Sequence, residues 1–322
     1  MMGRIRKKPA AVVVLMFVLM CALMDHPQFK HFSPVSLGFY DSSNGSSHVA
    51  WSNRTTQNYY SNIRKGDVAW LKNPEDFFHR LEREAAQTLC RRLVEVGGES
   101  CNFMTDGAKL VCFDPDVILD RHKCVVYSFG VNLDISFDNE MDQYGCEVYM
   151  MDPTVPAGHH ENLTGKKKFF RVGLAHTNMI LPMYLTNYFG WKGTINATVL
   201  TYDSVQVFID HYGPVHYLKM DIEGAEWKSL EYMMDHNQLR GIQQIAVEIH
   251  DSEFYEMTLD NAVSHLRRRW LLLERLEDHG FLRVKYDVNY SRTAAYRIPG
   301  TNSSVQTCGE LLLVRRQRGH II

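Results

Sequence analysis

The sequence lacks a strong charge of either sign. It holds 35 lysines and arginines against 37 aspartates and glutamates, so its net charge is −2 at pH 7. Proteins that bind nucleic acid through phosphate contacts carry a basic surface. The short basic runs at 166–168 and 267–269 are more typical of solvated faces, so we expect no nucleic-acid partner.

Two common motifs are absent as well. No C-x-x-C pair occurs, which argues against a zinc site of the usual structural type, and no G-x-G-x-x-G occurs. Of seven cysteines, Cys21 lies in an apolar segment. The other six are Cys90, Cys101, Cys112, Cys124, Cys146 and Cys308. An even number permits up to three disulfides in an oxidising compartment, with buried free thiols as the alternative.

Long apolar runs are scarce, and the clearest one lies near the N-terminus. Residues 10–24 carry no charge and follow four basic residues between positions 4 and 8. A basic segment before an apolar core is typical of secretory targeting, and about 15 residues are short for a membrane span. We predict a signal-anchor or signal peptide at 1–25, and the lack of an A-x-A-like cleavage site favours the anchor.

This segment predicts where the rest of the chain is located. An uncleaved anchor with its basic end in the cytoplasm gives a type II membrane protein whose remainder lies in the lumen of the Golgi or endoplasmic reticulum. Cleavage would give a secreted protein instead. N-glycosylation sequons support the lumen. They occur at Asn44, Asn53, Asn162, Asn196, Asn289 and Asn302.

Three regions follow the targeting segment. Residues 26–66 are rich in serine, asparagine, histidine and tyrosine, which is typical of a stem or linker. Residues 67–120 are predicted to be a helical extension, because a helix-start pattern at Asn73 precedes apolar residues at four-residue spacing through Leu93. Residues 121–322 form the main domain.

Short apolar runs alternate with mixed segments in the main domain. Such runs suit strands buried on both faces, and strands that alternate with helices form a parallel sheet. The fold class is therefore α/β, with a doubly wound sheet and a long helix at 258–279. We predict strands at 124–129, 147–151, 169–174, 215–220, 244–249, 281–286 and 310–314.

Ligands of such sheets bind beyond the carboxyl ends of the strands, so the residues that follow the strands are the site candidates. Gly130 permits a tight turn beside a ligand, with Asn132 and Asp134 in the same turn; a plain turn is the alternative. Asp152-Pro153 follows the second strand about 20 residues later, where an acid holds a ribose. A helix-capping aspartate before proline is the alternative there.

The next two strands also end in polar residues. His176 follows the third strand and could contact an adenine edge or lie in an ordinary loop. Asp221, Glu223 and Glu226 follow the fourth strand. We expect Asp221 to lie in the cleft and Glu223 to lie in the cleft or in the turn. We expect Glu226 to begin the next helix, where its negative charge interacts favourably with the helix dipole.

The fifth strand carries two ionisable residues near its end. Glu248 and His250 flank Ile249 and therefore share one face of the strand. They form a candidate acid–base pair, with a satisfied structural pair as the alternative.

Five runs in this order resemble FkbM-type methyltransferases: VVYSFGVNLDISFD, CEVYMMDP, LTYDS, YLKMDIEGAEW and IAVEIH. The resemblance covers about residues 85–315 and is strongest to the methyltransferase-like protein 24 group. It implies a class I methyltransferase (Rossmann-like) fold with a seven-stranded, mostly parallel sheet and helices on both faces. It also implies S-adenosylmethionine as cofactor and transfer to a hydroxyl oxygen.

The family's motifs map onto the candidate residues. In the D-x-G-x-N-x-G element, Gly130 and Asn132 match, whereas Ser128 replaces an acid and Asp134 replaces a glycine. The resemblance implies that Gly130, Asn132 and Asp134 lie in the cofactor site, and the position of His176 after the third strand makes it a further candidate. The remaining elements fall on Asp152-Pro153 for the ribose, Asp203 in the L-D element, and an intact D-x-E-G-x-E run at Asp221, Glu223, Gly224 and Glu226.

The sequence therefore predicts a lumenal S-adenosylmethionine-dependent O-methyltransferase whose acceptor is a hydroxyl, such as one on a glycan. We expect Asp221 near cofactor and acceptor, with Glu223 or His250 as assisting catalytic residues. A divalent ion could bind these carboxylates, although nothing else in the sequence supports one. Two alternatives are a lumenal glycosyltransferase that uses a nucleotide sugar and a non-catalytic binding protein on a methyltransferase scaffold, which Ser128 and Asp134 would permit.

Overall fold

The computed structural model describes residues 65–84, 86–98, 107–117, 119–186, 192–289 and 294–316. The predicted targeting segment and nearly all of the predicted stem lie outside these ranges, as do Cys101, Asn44 and Asn53. Within the described ranges, no helix has the length and apolar character needed to cross a bilayer.

Helices and strands alternate along the described residues. The helices are α1 (Pro74–Arg83), α2 (Ser136–Tyr144), α3 (Tyr202–Phe208), α4 (Glu226–Asp235) and α5 (Leu259–Asp278). The strands are β1 (Leu93–Val96), β2 (Lys109–Cys112), β3 (Val125–Phe129), β4 (Glu147–Met151), β5 (Lys167–Phe170), β6 (Gly173–Leu174), β7 (Met179–Thr186), β8 (Lys192–Leu200), β9 (Tyr217–Met220), β10 (Gln244–His250), β11 (Phe281–Val288), β12 (Ala295–Arg297), β13 (Ser304–Gln306) and β14 (Cys308–Arg315).

A seven-stranded sheet lies at the centre, in the order β5-β4-β3-β9-β10-β14-β11. Neighbouring strands are parallel except for β14, which runs antiparallel to both β10 and β11. Each of the seven predicted strand segments contributes to this sheet, and the predicted long helix is α5. The α/β class and the mostly parallel, seven-stranded sheet are therefore confirmed.

The order of the strands creates a switch point in the sheet. The chain adds β4 and β5 on one side of β3 and then returns to place β9 and β10 on the other side. The loops after β3 and β9 consequently leave the sheet in opposite directions, and a crevice between such loops is where open α/β sheets bind ligands. Gly130 follows β3 and Asp221 follows β9, so both lie at this point.

The two faces of the sheet are covered differently. One face carries α1, α3, α4 and α5, whose apolar side chains form a core that includes Phe77, Trp227 and Trp270. The other carries α2 and a hairpin of β1 and β2, with Phe137 and Val111 in a second core. Helices thus lie on both faces as predicted, but a hairpin takes the place of part of one helical layer.

The predicted helical extension is only partly helical. α1 ends at Arg83, and Leu93 begins β1 instead of continuing the helix. The four-residue spacing beyond α1 is misleading, because Leu89 is 75% exposed. Tertiary contacts determine the conformation there: Asp114 accepts backbone N–H groups of the turn before β1 and so draws that turn against the end of β2.

Cysteine pairing follows the same hairpin. The disulfides among the described residues are Cys90–Cys112, which joins the turn before β1 to the end of β2, and Cys124–Cys146, which joins the residues before β3 and β4. The third disulfide that the sequence allowed is not formed by Cys308, because Cys308 is a buried free thiol.

A buried glutamine attaches the hairpin to the sheet. Gln244, at the start of β10, donates from its side-chain amide to Cys112 O (2.7 Å) and accepts from Cys112 N–H (2.8 Å). The hydroxyl of Tyr217 in β9 donates to Leu110 O (2.7 Å). These bonds hold β2 against the sheet, so that Lys109 at the start of β2 reaches the carboxyl ends of β9 and β10.

The predicted third strand is interrupted. β5 ends at Phe170, and β6 pairs instead with β8 in a separate sheet that also contains β7. Between them, the guanidinium of Arg171 donates to the backbone oxygens of Val155 and Pro156, which turns the chain away from the main sheet. The hairpin of β7 and β8 was not predicted from the sequence.

Candidate functional site

The D-I-E-G-A-E run forms a tight turn between β9 and α4. Glu223 and Gly224 both have positive φ, +54° and +100°, so the chain reverses sharply after Asp221. Glu226 is fully buried, and its carboxylate accepts the N–H groups of Ile222 and Gly224, each at 2.9 Å. Glu226 therefore holds the turn, as expected of the helix-start acid, and leaves the other two acids for other contacts.

The turn after β3 touches the turn after β9. Gly130 has a φ of +74°, and a Cβ atom there would lie 1.6 Å from the backbone oxygen of Asp221. Lys219 in β9 donates to Gly130 O at 2.8 Å. Only glycine fits this position. The predicted cofactor turn and the first acid of the D-x-E-G-x-E motif thus meet at one corner of the sheet.

The predicted ribose acid lies beside the glycine turn but already has partners. Asp152 is 4% exposed, and its Oδ2 accepts the N–H of Asn132 at 2.9 Å. Its Oδ1 accepts the N–H (2.7 Å) and the hydroxyl (2.6 Å) of Thr154. Asp152 does not cap a helix; it fixes the backbone of the glycine turn. Pro153 follows it and packs against Gly173.

The two residues that depart from the family pattern have structural partners. Asp134 is exposed and accepts the N–H of Ser136 at 2.8 Å, at the start of α2. Ser128 is fully buried, and its neighbour in α2 is Asp138, whose pKa burial raises to about 6 against the charge of Lys219. Asp138, which was not predicted, therefore places a carboxyl next to the position where the family has an acid.

His176 and Asp203 follow two segments that contact each other, since Ala175 N–H donates to Leu200 O at 2.8 Å. His176 is exposed, directly after Ala175 at the end of β6. Asp203 is exposed at the start of α3. Burial would raise the pKa of Asp203, but hydrogen bonds from Thr201 and Gln238 lower it. Direct contacts join Gly130 to Asp221 and Asn132 to Asp152, whereas the roles of His176 and Asp203 stay predictions.

A buried lysine joins the acids that follow the strands. Lys109 is 1% exposed, and its Nζ lies 3.3 Å from Asp221 Oδ2 and 3.5 Å from Glu248 Oε2. It also donates to Glu310 of β14, which stands opposite Glu248 in the register of β10 and β14. We refer to Lys109, Asp221, Glu248 and Glu310 as the lysine–carboxylate cluster. Sequence reasoning missed Lys109 and Glu310.

Burial and repulsion determine the charges of this cluster. Burial raises the pKa of Glu310 to about 8 and also raises that of Asp221, and the charge of Glu248 adds to both shifts. Burial opposes ionisation of Glu248 as well, but Lys109 and two hydrogen bonds lower its pKa. Burial would lower the pKa of Lys109, yet the carboxylates raise it above its ordinary value, so the ammonium stays charged.

His250 lies on the other side of Glu248. Its Nδ1 is 3.0 Å from Glu226 Oε1, whereas its Nε2 is 3.8 Å from both Glu248 Oε1 and Glu223 Oε2. Burial would lower the pKa of His250, but Cys308 and Glu226 raise it to about 12, so both ring nitrogens are protonated and the ring is positively charged near neutral pH. The predicted Glu248–His250 pair is brought together, without a direct hydrogen bond between its members.

Comparison with known proteins identifies the family. A family model described as a methyltransferase domain matches residues 33–298. The chain belongs to this methyltransferase family. Among solved structures, the methyltransferase FkbM from Methylobacillus flagellatus KT aligns at 12% identity with a TM-score of 0.33, over 62% of this chain and 46% of that chain. The match thus spans less than half of that relative and is too slight to bear on function. No curated protein matches the chain significantly.

Membership in a methyltransferase family gives the corner at Gly130 a chemical context. S-adenosylmethionine is the usual cofactor of such enzymes, and in a class I sheet the loops after the central strands receive it. Gly130, Asn132 and Asp152 occupy those loops here. The lysine–carboxylate cluster begins at Asp221, whose backbone touches the glycine turn.

We expect Gly130→Ala to abolish cofactor binding, because the new Cβ would displace the backbone oxygen of Asp221. Gly300→Ala is the matched control: Gly300 has the same φ of +74°, with no atom within 4 Å of the added Cβ. Both variants carry the cost of a left-handed backbone, about 1–2 kcal/mol. Thermal unfolding with and without S-adenosylmethionine would measure the difference. Equal ligand-induced shifts in the two variants would contradict a role for the close contact.

We expect Lys109→Met to lower the free energy of unfolding by about 3–5 kcal/mol, because removing one partner leaves buried charges uncompensated. Lys285→Met is the control, since Lys285 and its partner Asp287 are each 46% exposed. Breaking such a surface pair costs less than about 1 kcal/mol. Urea denaturation of both variants measures the effect. Similar losses in the two would show that the cluster does not depend on its lysine.

Proposed function

We propose that the chain is an S-adenosylmethionine-dependent methyltransferase of the secretory pathway that methylates a hydroxyl group, such as one on a glycan. The contact between Gly130 and Asp221 carries this proposal. It sets a turn suited to a nucleoside cofactor directly against carboxylates suited to a hydroxyl acceptor. Donor and acceptor held in one place react far faster than they do free in solution.

The residues of the glycine turn fit the cofactor. Gly130 allows the backbone to approach a ligand closely, and Asn132 continues the turn with a φ of +50°. Asp152 uses three of the roughly four acceptor positions that a carboxylate offers, which leaves one for a ribose hydroxyl. The carboxylates of Asp221 and Glu223 would offset a positive charge. When bound, S-adenosylmethionine supplies a methyl group on a positively charged sulfur.

Asp221 is placed to receive the proton of the acceptor. Its side chain is 19% exposed, and Lys109 orients one of its oxygens. As the hydroxyl oxygen bonds to the methyl carbon, its proton passes to the Asp221 carboxylate. S-adenosylmethionine would supply the methyl group and leave as S-adenosylhomocysteine, and the other product would be a methyl ether. Glu223, whose side chain is 81% exposed, stands at the rim and can accept a hydrogen bond from a neighbouring hydroxyl.

Two features support a location in the secretory pathway. The Cys90–Cys112 and Cys124–Cys146 disulfides suit an oxidising compartment. Three of the sequons, at Asn162, Asn196 and Asn302, lie on exposed residues that an oligosaccharide could occupy. A glycan acceptor, attachment to the membrane through the N-terminal segment and kinship with the methyltransferase-like protein 24 group belong to the same proposal.

We expect the full-length protein to bind S-adenosylmethionine in calorimetry and to transfer labelled methyl groups to a glycan acceptor. Asp221→Asn should keep binding but lose about 10²–10⁴-fold in transfer rate, as removal of a proton acceptor does. Asp152→Ala should lose binding, because the glycine turn loses its anchor. Glu140→Gln, an exposed position on α2, serves as the control with unchanged binding and transfer.

Transfer that survives Asp221→Asn at full rate would contradict the assigned role of this residue. A folded protein that fails to bind S-adenosylmethionine would contradict the proposal as a whole. Binding of a nucleotide sugar with Mn²⁺ would then indicate the glycosyltransferase. Binding of neither ligand would indicate a non-catalytic protein on this scaffold.

We expect N-glycans at Asn162, Asn196 and Asn302 but not at Asn289 when the chain is produced through a secretory pathway. Asn289 is half-buried, and its Nδ2 donates to Glu248 Oε1 at 3.0 Å, so a glycan there would have to leave the site through packed residues. Enzymatic deglycosylation in heavy-oxygen water, followed by peptide mass spectrometry, marks each occupied asparagine. Absence of glycans at all three exposed sequons would contradict the lumenal location.

A further inference from the structure

The two carboxylate oxygens of Glu248 contact different groups. Oε2 faces Lys109 of the lysine–carboxylate cluster at 3.5 Å. Oε1 faces three other groups: Cys308 Sγ and Asn289 Nδ2 each lie 3.0 Å away, and His250 Nε2 lies 3.8 Å away. We refer to Glu248, His250 and Cys308 as the His–Cys–Glu triad. The lysine supplies a fixed positive charge on the first side, and no lysine or arginine contacts the triad on the second among the described residues.

The register of two strands assembles the triad. β10 and β14 are antiparallel neighbours, and His250 stands directly opposite Cys308, two pairs along the register from Glu248 and Glu310. Because alternate residues of a strand share a face, all four side chains point to the same side of the sheet. Cys308 is 4% exposed and Glu248 is 5% exposed, so the triad is largely shielded from solvent.

The spacing of the three groups suits a metal ion. One ligand atom from each of Glu248, His250 and Cys308 lies within 4.8 Å of the others. Zinc binds sulfur, nitrogen and oxygen at about 2.0–2.3 Å, so tetrahedral ligands stand roughly 3.3–3.8 Å apart. The two separations from Glu248 Oε1, 3.0 Å to Cys308 Sγ and 3.8 Å to His250 Nε2, lie within a few tenths of an ångström of that range.

His250 is held as a metal-binding histidine is held. Its Nδ1 is 3.0 Å from Oε1 of Glu226, which is fully buried and is itself fixed by the N–H groups of Ile222 and Gly224. A carboxylate that receives one ring N–H fixes the ring's orientation and tautomer, and metal-ligating histidines almost always have such a partner. The other ring nitrogen, Nε2, therefore faces Glu248 and Glu223 in a fixed direction.

The charges around the triad favour a cation. Carboxyl groups outnumber the cationic groups among the described residues at this corner, even when the charged ring of His250 is counted with the lysines. A divalent ion would offset the remaining negative charge. The acids are Asp221, Glu223, Glu226, Glu248 and Glu310, and the lysines are Lys109 and Lys219.

We propose that the His–Cys–Glu triad binds one Zn²⁺, which displaces the protons on His250 Nε2 and Cys308 Sγ and keeps a fourth position open towards Asp221 and Glu223. A thiolate and an imidazole select zinc over Mg²⁺ or Ca²⁺, which prefer oxygen ligands. The absence of C-x-x-C argued against zinc only for ligands close in sequence, whereas these ligands come together through the register of β10 and β14. The open position would hold the acceptor hydroxyl, and this last step rests on the proposed function.

Zinc binding can be measured without any methyl transfer. The full-length protein is stripped with a chelator, its refilled metal content is determined by elemental mass spectrometry, and Zn²⁺ affinity is determined by competition with a chromophoric chelator. Replacement of Zn²⁺ by Co²⁺ reports thiolate ligation as a sulfur-to-cobalt absorption band. His250→Gln and Cys308→Ser test the ligands, and His236→Gln, at an exposed histidine, is the control.

We expect one Zn²⁺ per chain, a sulfur-to-cobalt band in the unaltered protein, and loss of stoichiometric binding in both ligand variants but not in His236→Gln. The cobalt band is measured on the unaltered protein, so it tests thiolate ligation of the metal even if a variant fails to fold. A folded protein without stoichiometric zinc, or with zinc but no such band, would overturn the inference. S-adenosylmethionine binding without zinc would overturn this inference alone, and zinc without S-adenosylmethionine would overturn only the proposed function.

Discussion

The ammonium of Lys109 is the constraint on which the candidate site depends. Carboxylates from three adjacent strands, Asp221, Glu248 and Glu310, converge on it, and its side chain is 1% exposed. Burying such a group is costly unless every charge has a partner. The lysine comes from β2, which is not part of the main sheet, so the sheet alone would bring three acids together without a counter-charge. The hairpin of β1 and β2 is therefore part of the site and not only a cover for the core.

The attachment of the hairpin follows from this requirement. An ammonium that serves three carboxylates must be held to within a few tenths of an ångström, which a mobile extension could not provide. Gln244 accepts the N–H of Cys112 and donates to its backbone oxygen, and the Cys90–Cys112 disulfide ties the same residue to the turn before β1. The sheet, the hairpin and the disulfide consequently fix the position of the Lys109 side chain together.

Much of the fold could be predicted because parallel strands buried on both faces are continuous apolar runs, and the ends of those runs pointed to Asp221, Glu248 and His250. Lys109 and Glu310 could not be predicted in the same way. Their role depends on the strand register and on the position of the hairpin, and neither produces a pattern in the sequence near these residues. The spacing through Leu93 predicted a helix for a related reason: apolar periodicity does not show which residues other parts of the chain will bind.

Within the D-x-E-G-x-E run, Glu226 fixes the turn that carries the other two acids, Asp221 and Glu223. This carboxylate never faces the crevice, yet it receives two backbone N–H groups of the turn and orients His250. The same turn sets the backbone oxygen of Asp221 against Gly130. A shift of Glu226 would therefore move the glycine turn on one side and the histidine on the other. One buried acid of the motif thus links the turn that touches Gly130 to the ring of His250.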